Sequence, residues 1–237
     1  MKNLKNWDNK TWLSSVKYTS SIIHFLEKKI NFNDEFKILD IGCGRGKIIS
    51  ILSKKYQMKN LPLGVDVVDH NNIDKKIMFF KINALKYLSK TNKNFDLILF
   101  KQSIHFFKIW EIKKILRLSK SKLNHKGKII IFTLYSKRNY WPVFKNFKIK
   151  LTESLKKDEV ILNVIKSNFK KYKINYFNFK VKITTKSYAQ MIKKRFTSCL
   201  LNFSFRELKT GIDEIKEGHG KKLSFSDKLT CITYKKN

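Results

Sequence analysis

Alanine occurs only twice in 237 residues, proline twice and glycine eight times. With no proline-rich or low-complexity stretch and no internal repeat, nothing marks a linker or a sharp domain boundary. Three cysteines, Cys43, Cys199 and Cys231, form an odd set without metal-ligand spacing, which argues against a disulfide framework and against a zinc site. No apolar run approaches the ~18 residues that span a bilayer. The opening Met1-Lys2-Asn3-Leu4-Lys5-Asn6-Trp7-Asp8 lacks the apolar stretch of a secretory leader. The expectation is a reduced, cytoplasmic protein without a membrane partner.

Acidic residues are also scarce: 18 Asp and Glu stand against 52 Lys and Arg, a net charge of +34. Lysine supplies 47 of those cations and arginine only five, and they are spread along the whole chain. Abundant Lys, Asn, Ile and Phe beside few Ala, Pro and Gly is what an AT-rich coding sequence produces. That origin does not account for the few acids. Two readings stay open, a solvated surface shaped by codon drift and an electrostatic footprint for nucleic acid.

Hydrophobic residues make up 42% of the chain, enough for a real core, and the length suits one α/β domain with a modest insertion. The organising stretch is Ile38-Leu39-Asp40-Ile41-Gly42-Cys43-Gly44-Arg45-Gly46. Its apolar run reads as a buried parallel strand, and Lys47-Ile48-Ile49-Ser50-Ile51-Leu52 behind it opens a helical pattern. Strand, glycine turn and helix bring a nucleotide-like ligand against backbone N–H groups. A dinucleotide fingerprint G-x-G-x-x-G would place its third glycine on Lys47. A carboxylate at Asp40 would also repel a pyrophosphate, whereas it suits a ligand with a cationic end.

The pattern D-x-G-x-G-x-G, carried by Asp40, Gly42, Gly44 and Gly46, resembles motif I of the class I S-adenosylmethionine-dependent methyltransferases. Downstream, "FDLILFKQSIHFF" (95–107) resembles F-D-L-I-x-x-x-Q-S-x-H-W-F of a subgroup that includes trans-aconitate methyltransferases. Leu123-Asn124-His125-Lys126-Gly127-Lys128 is similar to that subgroup's L-K-P-G-G-x turn, with Asn, His and Lys replacing Lys, Pro and Gly. The match covers about residues 36–135. Looser similarity continues at Met191–Ser198 and Phe205–Ile212.

The resemblance implies an α/β, Rossmann-like seven-stranded sheet, mostly parallel with the last strand antiparallel, and helices on both faces. Residues 1–30 would form a helical cover and 36–135 the cofactor core. Residues 136–237 would form the substrate side, with a helical insertion at about 185–218. Local patterns place helices over 11–29, 46–56, 107–122 and 151–168. They place strands over 36–41, 61–66, 77–82, 95–100, 172–183 and 228–234, and a turn running into a fifth strand over 123–131.

S-adenosylmethionine is the implied cofactor. Asp40 would meet its amino group, with Gly42, Cys43, Gly44 and Gly46 forming the bend. Asp66 ends the second strand 20 residues beyond Gly46, where a carboxylate accepts both ribose hydroxyls. The family commonly has Asp-Ala after the third strand, the acid accepting from the adenine amino group. Here Asn83-Ala84 stands instead, with an amide oxygen for that bond. Lys101 and Gln102 would border the cofactor, and Trp7 and Trp12 would cover it or anchor the core.

Chemistry in open α/β sheets lies outside the carboxyl ends of the strands, so His105 should stand near the transferred methyl group. It is the candidate base, or else orients the acceptor or caps the helix that follows. Tyr135, Tyr140, Trp141, Tyr188 and Arg195 are candidates for substrate recognition, Arg195 through a bidentate carboxylate clamp. No metal site is expected. The reading is methyl transfer to oxygen or nitrogen of a small molecule, a small organic acid among the candidates. An RNA methyltransferase is a second reading, because Ile104-His105-Phe106-Phe107 is comparable to the I-H-H-F of tRNA wobble-uridine enzymes. A non-catalytic cofactor binder is a third.

Overall fold

The computed structural model describes residues 11–138 and 140–237; Trp7 lies outside them. Seven strands form one sheet in the order β3-β2-β1-β4-β5-β7-β6. Every residue of β1 (Ile38–Ile41) is buried, as a central parallel strand covered on both faces requires. It pairs in parallel with β2 (Leu63–Asp66) and with β4 (Phe95–Lys101), and β3 (Met78–Lys81) extends the sheet beyond β2. β5 (Leu123–Leu134) runs parallel to β4. β7 (Lys222–Lys235) is antiparallel to both β5 and β6 (Lys173–Thr184).

Helix α1 (Val16–Glu27) starts later than expected, because Trp12–Ser14 forms a 3-10 turn and Ser15 caps the helix by accepting from the Tyr18 N–H. α2 (Lys47–Lys55) follows the glycine turn, and α3 (Ala84–Lys90) begins at an Asn83 cap. α4 (Ile109–Ser121) bridges β4 and β5, and its inward face carries Ile112, Ile115 and Leu116 as expected. α5 (Lys145–Asn168) starts before the predicted 151, with its first N–H donating to Glu214 at 2.8 Å. Strand β7 likewise begins before the predicted 228. Residues Lys222–Lys228 pair with β6 past the end of β5, where Leu134 meets Leu229.

That overhang positions the site. β5 runs parallel to β4, so the overhanging part of the β6–β7 hairpin stands beyond the carboxyl ends of the central strands. The chain between them, α6 (Thr185–Lys193) and α7 (Phe205–Gly218), is held on that side. Trp12, Trp141, Tyr188, Phe196 and Phe225 form an aromatic cluster there, with ring centroids 4.9–6.2 Å from Trp12. Trp12 donates from Nε1 to Oδ2 of the fully buried Asp227 at 3.0 Å, tying the 3-10 turn to β7. No helix among the described residues is long and apolar enough to cross a membrane.

Candidate functional site

A cavity of about 470 Å³ opens at the carboxyl ends of β1, β2 and β4, under the 3-10 turn and α1. Asp40 lies on its wall because it stands two residues before Gly42, at the carboxyl end of β1. Its carboxyl is 3% exposed, and Oδ1 is buried without a hydrogen-bond partner. Burial pushes this acid up to about 7, with the nearby Asp66 adding to the rise and Lys101 opposing it. A buried acceptor with no donor calls for a ligand that supplies one.

Gly42, Cys43 and Gly44 also line the cavity. Gly44 has φ +56 and nothing near the place a Cβ would take, so the ligand space reaches its backbone. The turn differs in one respect from the expectation of exposed donors. The N–H groups of Gly42 and Cys43 donate to Val65 O at 2.8 and 3.2 Å, and Gly46 N–H donates to Cys43 O at 2.9 Å. Gly44 N–H donates to Asp66 Oδ2 at 2.9 Å. What these glycines offer a ligand is room. Gly46 is a correction of another kind: it does not line the cavity, and Ile77 fills the place of its missing Cβ.

Asp66 lines the wall opposite, and its Oδ1 accepts from Val68 N–H at 2.9 Å. A carboxylate has about four lone-pair sites, so two remain for ligand hydroxyls. His70 stands 3.9 Å from Oδ2. Asn83 and Ala84 border the same cavity. The Asn83 oxygen, however, accepts from Leu85 and Lys86 N–H at 2.9 and 3.3 Å, capping α3. With its oxygen engaged in the cap, the amide keeps its NH2, a donor, free of that bond, which corrects the expected acceptor role. Lys101 and Gln102 complete the wall, with Lys101 Nζ 4.9 Å above the Tyr18 ring.

No family profile and no curated protein matches the chain. Solved structures do. A protein of Anabaena variabilis, assigned as a methyltransferase of an antibiotic biosynthesis pathway, is 13% identical with a TM-score of 0.66 over 90% of this chain and 95% of that one. A SAM-dependent methyltransferase from Archaeoglobus fulgidus is 19% identical with a TM-score of 0.53 over 92% and 94%. The plantazolicin methyltransferase BpumL, solved in complex with SAH (S-adenosylhomocysteine), is 18% identical with a TM-score of 0.55 over 100% and 90%. The chain has the class I methyltransferase fold.

In this methyltransferase fold a second cavity of about 40 Å³ shares Leu13, Gln102 and Phe106 with the wall of the first. His105, Trp141 and Arg195 line it. His105 makes no hydrogen bond or ion pair among the described residues. Burial lowers its imidazole to about 4, so the ring is neutral at neutral pH. Arg195 Nη2 donates to Phe203 O at 2.8 Å, so part of the expected clamp is already engaged. Tyr188 is fully buried, and its hydroxyl donates to Pro142 O at 2.7 Å. It supports Trp12 instead of facing a ligand, which corrects its assignment. Tyr140 is 40% exposed under the Arg138 guanidinium, and Tyr135 stacks edge-on with Tyr176; neither lines either cavity.

Asp158 of α5 is the wall residue that the sequence reading missed. It is 5% exposed, and burial raises its carboxyl to about 7. The signal was present: Leu151, Leu155, Asp158, Ile161 and Ile165 share one inward stripe, and a charge there breaks the pattern. Among the described residues, no group of three or more His, Cys, Asp or Glu is placed to hold a metal ion.

Proposed function

We propose that the protein transfers a methyl group from S-adenosylmethionine to a nitrogen or oxygen of a small molecule. The observation that carries this reading is Asp40, a buried acid with a partnerless oxygen, on the wall of a cavity of about 470 Å³. That volume lies within the range of pockets for drug-sized ligands. Asp40 suits the cofactor's amino group, and Asp66 its two ribose hydroxyls. Gly44 leaves room for a ligand against the backbone, and the Asn83 amide offers a donor at the adenine end. The occupied N–H groups of the turn, beside two carboxylates, disfavour a pyrophosphate ligand.

When bound, the cofactor supplies an electrophilic methyl group, which the lone pair of the acceptor takes while the S–CH3 electron pair stays on sulfur. The residues of the chain have two tasks. Gln102 and His105 hold the acceptor in line, and the apolar wall of Leu13, Phe106 and Trp141 keeps competing water out. Alignment of this kind contributes up to ~7–11 kcal/mol in favourable systems.

The net charge of +34, with Phe106 exposed on the cavity wall and Trp110 exposed on α4, favours RNA as the second reading. Incubation with labelled cofactor and separate metabolite and RNA fractions decides between them. Label in the metabolite fraction supports the small-molecule reading. Label confined to a defined RNA position overturns it, and SAH binding without transfer to any fraction supports a non-catalytic binder.

A further inference from the structure

Asp158 sits in the apolar stripe of α5 without a hydrogen bond or ion pair among the described residues. A carboxyl removed from water and left unpaired has its charged form disfavoured. Native structures keep such groups where a ligand completes them. The side cavity that Asp158 lines has room for about three or four non-hydrogen atoms.

Among the described residues, Asp158 is the one carboxyl on the wall of this cavity. Gln102 Oε1 is buried without a partner, and its backbone is held at φ +55, a conformation that non-glycine residues seldom adopt. The neutral His105 ring offers one acceptor nitrogen. Arg195 makes no ion pair with Asp158 and donates to Phe203 O. Ser154, Thr197 and Ser198 add hydroxyls that serve either way.

We infer that the side cavity receives the amino group of an amine acceptor, its ammonium form held by Asp158. This rests on the methyl-transfer reading and narrows it to nitrogen. An ammonium brings three N–H donors and the charge that the carboxylate lacks. A small organic acid would instead set a second anion beside Asp158. The balance is simple. Asp158 accepts one proton from R–NH3⁺, and the freed lone pair forms the N–CH3 bond as the S–CH3 pair returns to sulfur. The product is R–NH2–CH3⁺, and the proton leaves the carboxyl for water. The titratable and charged groups around Asp158 are His105, Arg195 and Cys199.

The test uses the ¹⁵N-labelled protein saturated with SAH and titrated with n-propylammonium chloride or sodium propionate at equal ionic strength. Propylammonium is expected to shift the amide resonances of Gln102, Asp158 and Thr197 saturably, and propionate to leave them unmoved. Asp158→Asn should weaken propylammonium by about tenfold or more while SAH affinity is retained. Asp158→Ser provides the same comparison if the asparagine variant does not fold. Propionate binding in the cavity, silence from both probes, or unchanged propylammonium affinity in the variant overturns the inference. Failure of the wild type to bind SAH refutes the methyl-transfer reading itself.

Discussion

Gly44 faces open cavity, whereas Ile77 occupies the space that a Cβ on Gly46 would need. Both have positive φ, so any side chain costs about 1–2 kcal/mol at either position. Gly46→Ala should add overpacking of about 1–3 kcal/mol, read as a lower urea midpoint. Gly44→Val should keep most of its stability and lose SAH affinity, measured by calorimetry. Asp158 makes a pH prediction. A carboxyl raised from 3.8 to about 7 in the fold holds a proton that the unfolded chain has released. Its effect is absent below the unfolded value and costs stability as pH rises toward 7 and above. The upper bound is about 4 kcal/mol at pH 8, reduced by water in the adjoining cavity. Asp158→Asn should therefore raise the melting temperature at pH 8 and leave it unchanged at pH 4. Asp40, Asp66 and the glycines were legible because the motif fixes their spacing. Asp158 was hidden in Lys156-Lys157-Asp158-Glu159, which reads as a solvated run until the helical phase is traced.

Among the elements, β1, β2 and β4 were legible because buried parallel strands are nearly continuous apolar runs. The extent of β7 was not, because Asp227 puts a charge in the inward phase set by Leu223 and Phe225 and so interrupts the strand pattern before residue 228. Asp227 is fully buried. Helix α3 is too short to show a helical period in the sequence, and Asn83 is its cap. Caps and ligand contacts draw on the same side-chain oxygens, so sequence alone does not separate them. The Trp12–Asp227 bond joins positions far apart in sequence and has no local signal. Trp12→Phe keeps the aromatic packing but removes the Nε1 donor from that buried carboxyl. A loss of about 1–3 kcal/mol is expected in denaturant unfolding. A loss below a few tenths would mean that another donor replaces it.

For the molecule as a whole, the topology followed from the order of motifs, since parallel strands joined by helices wind in one sense. Composition was less informative, because a charge of +34 spread over the chain points to no single face. Any tRNA binding should be weak and fall steeply between about 50 and 200 mM salt, as filter binding would show. The account as a whole rests on the cavity at the glycine turn. Calorimetry of SAH into the wild type and into Asp40→Asn tests it most directly. One site per wild-type chain is expected, with affinity lost in a variant whose circular dichroism is unchanged. Equal affinity in the two proteins, or no heat from a folded wild type, would contradict it.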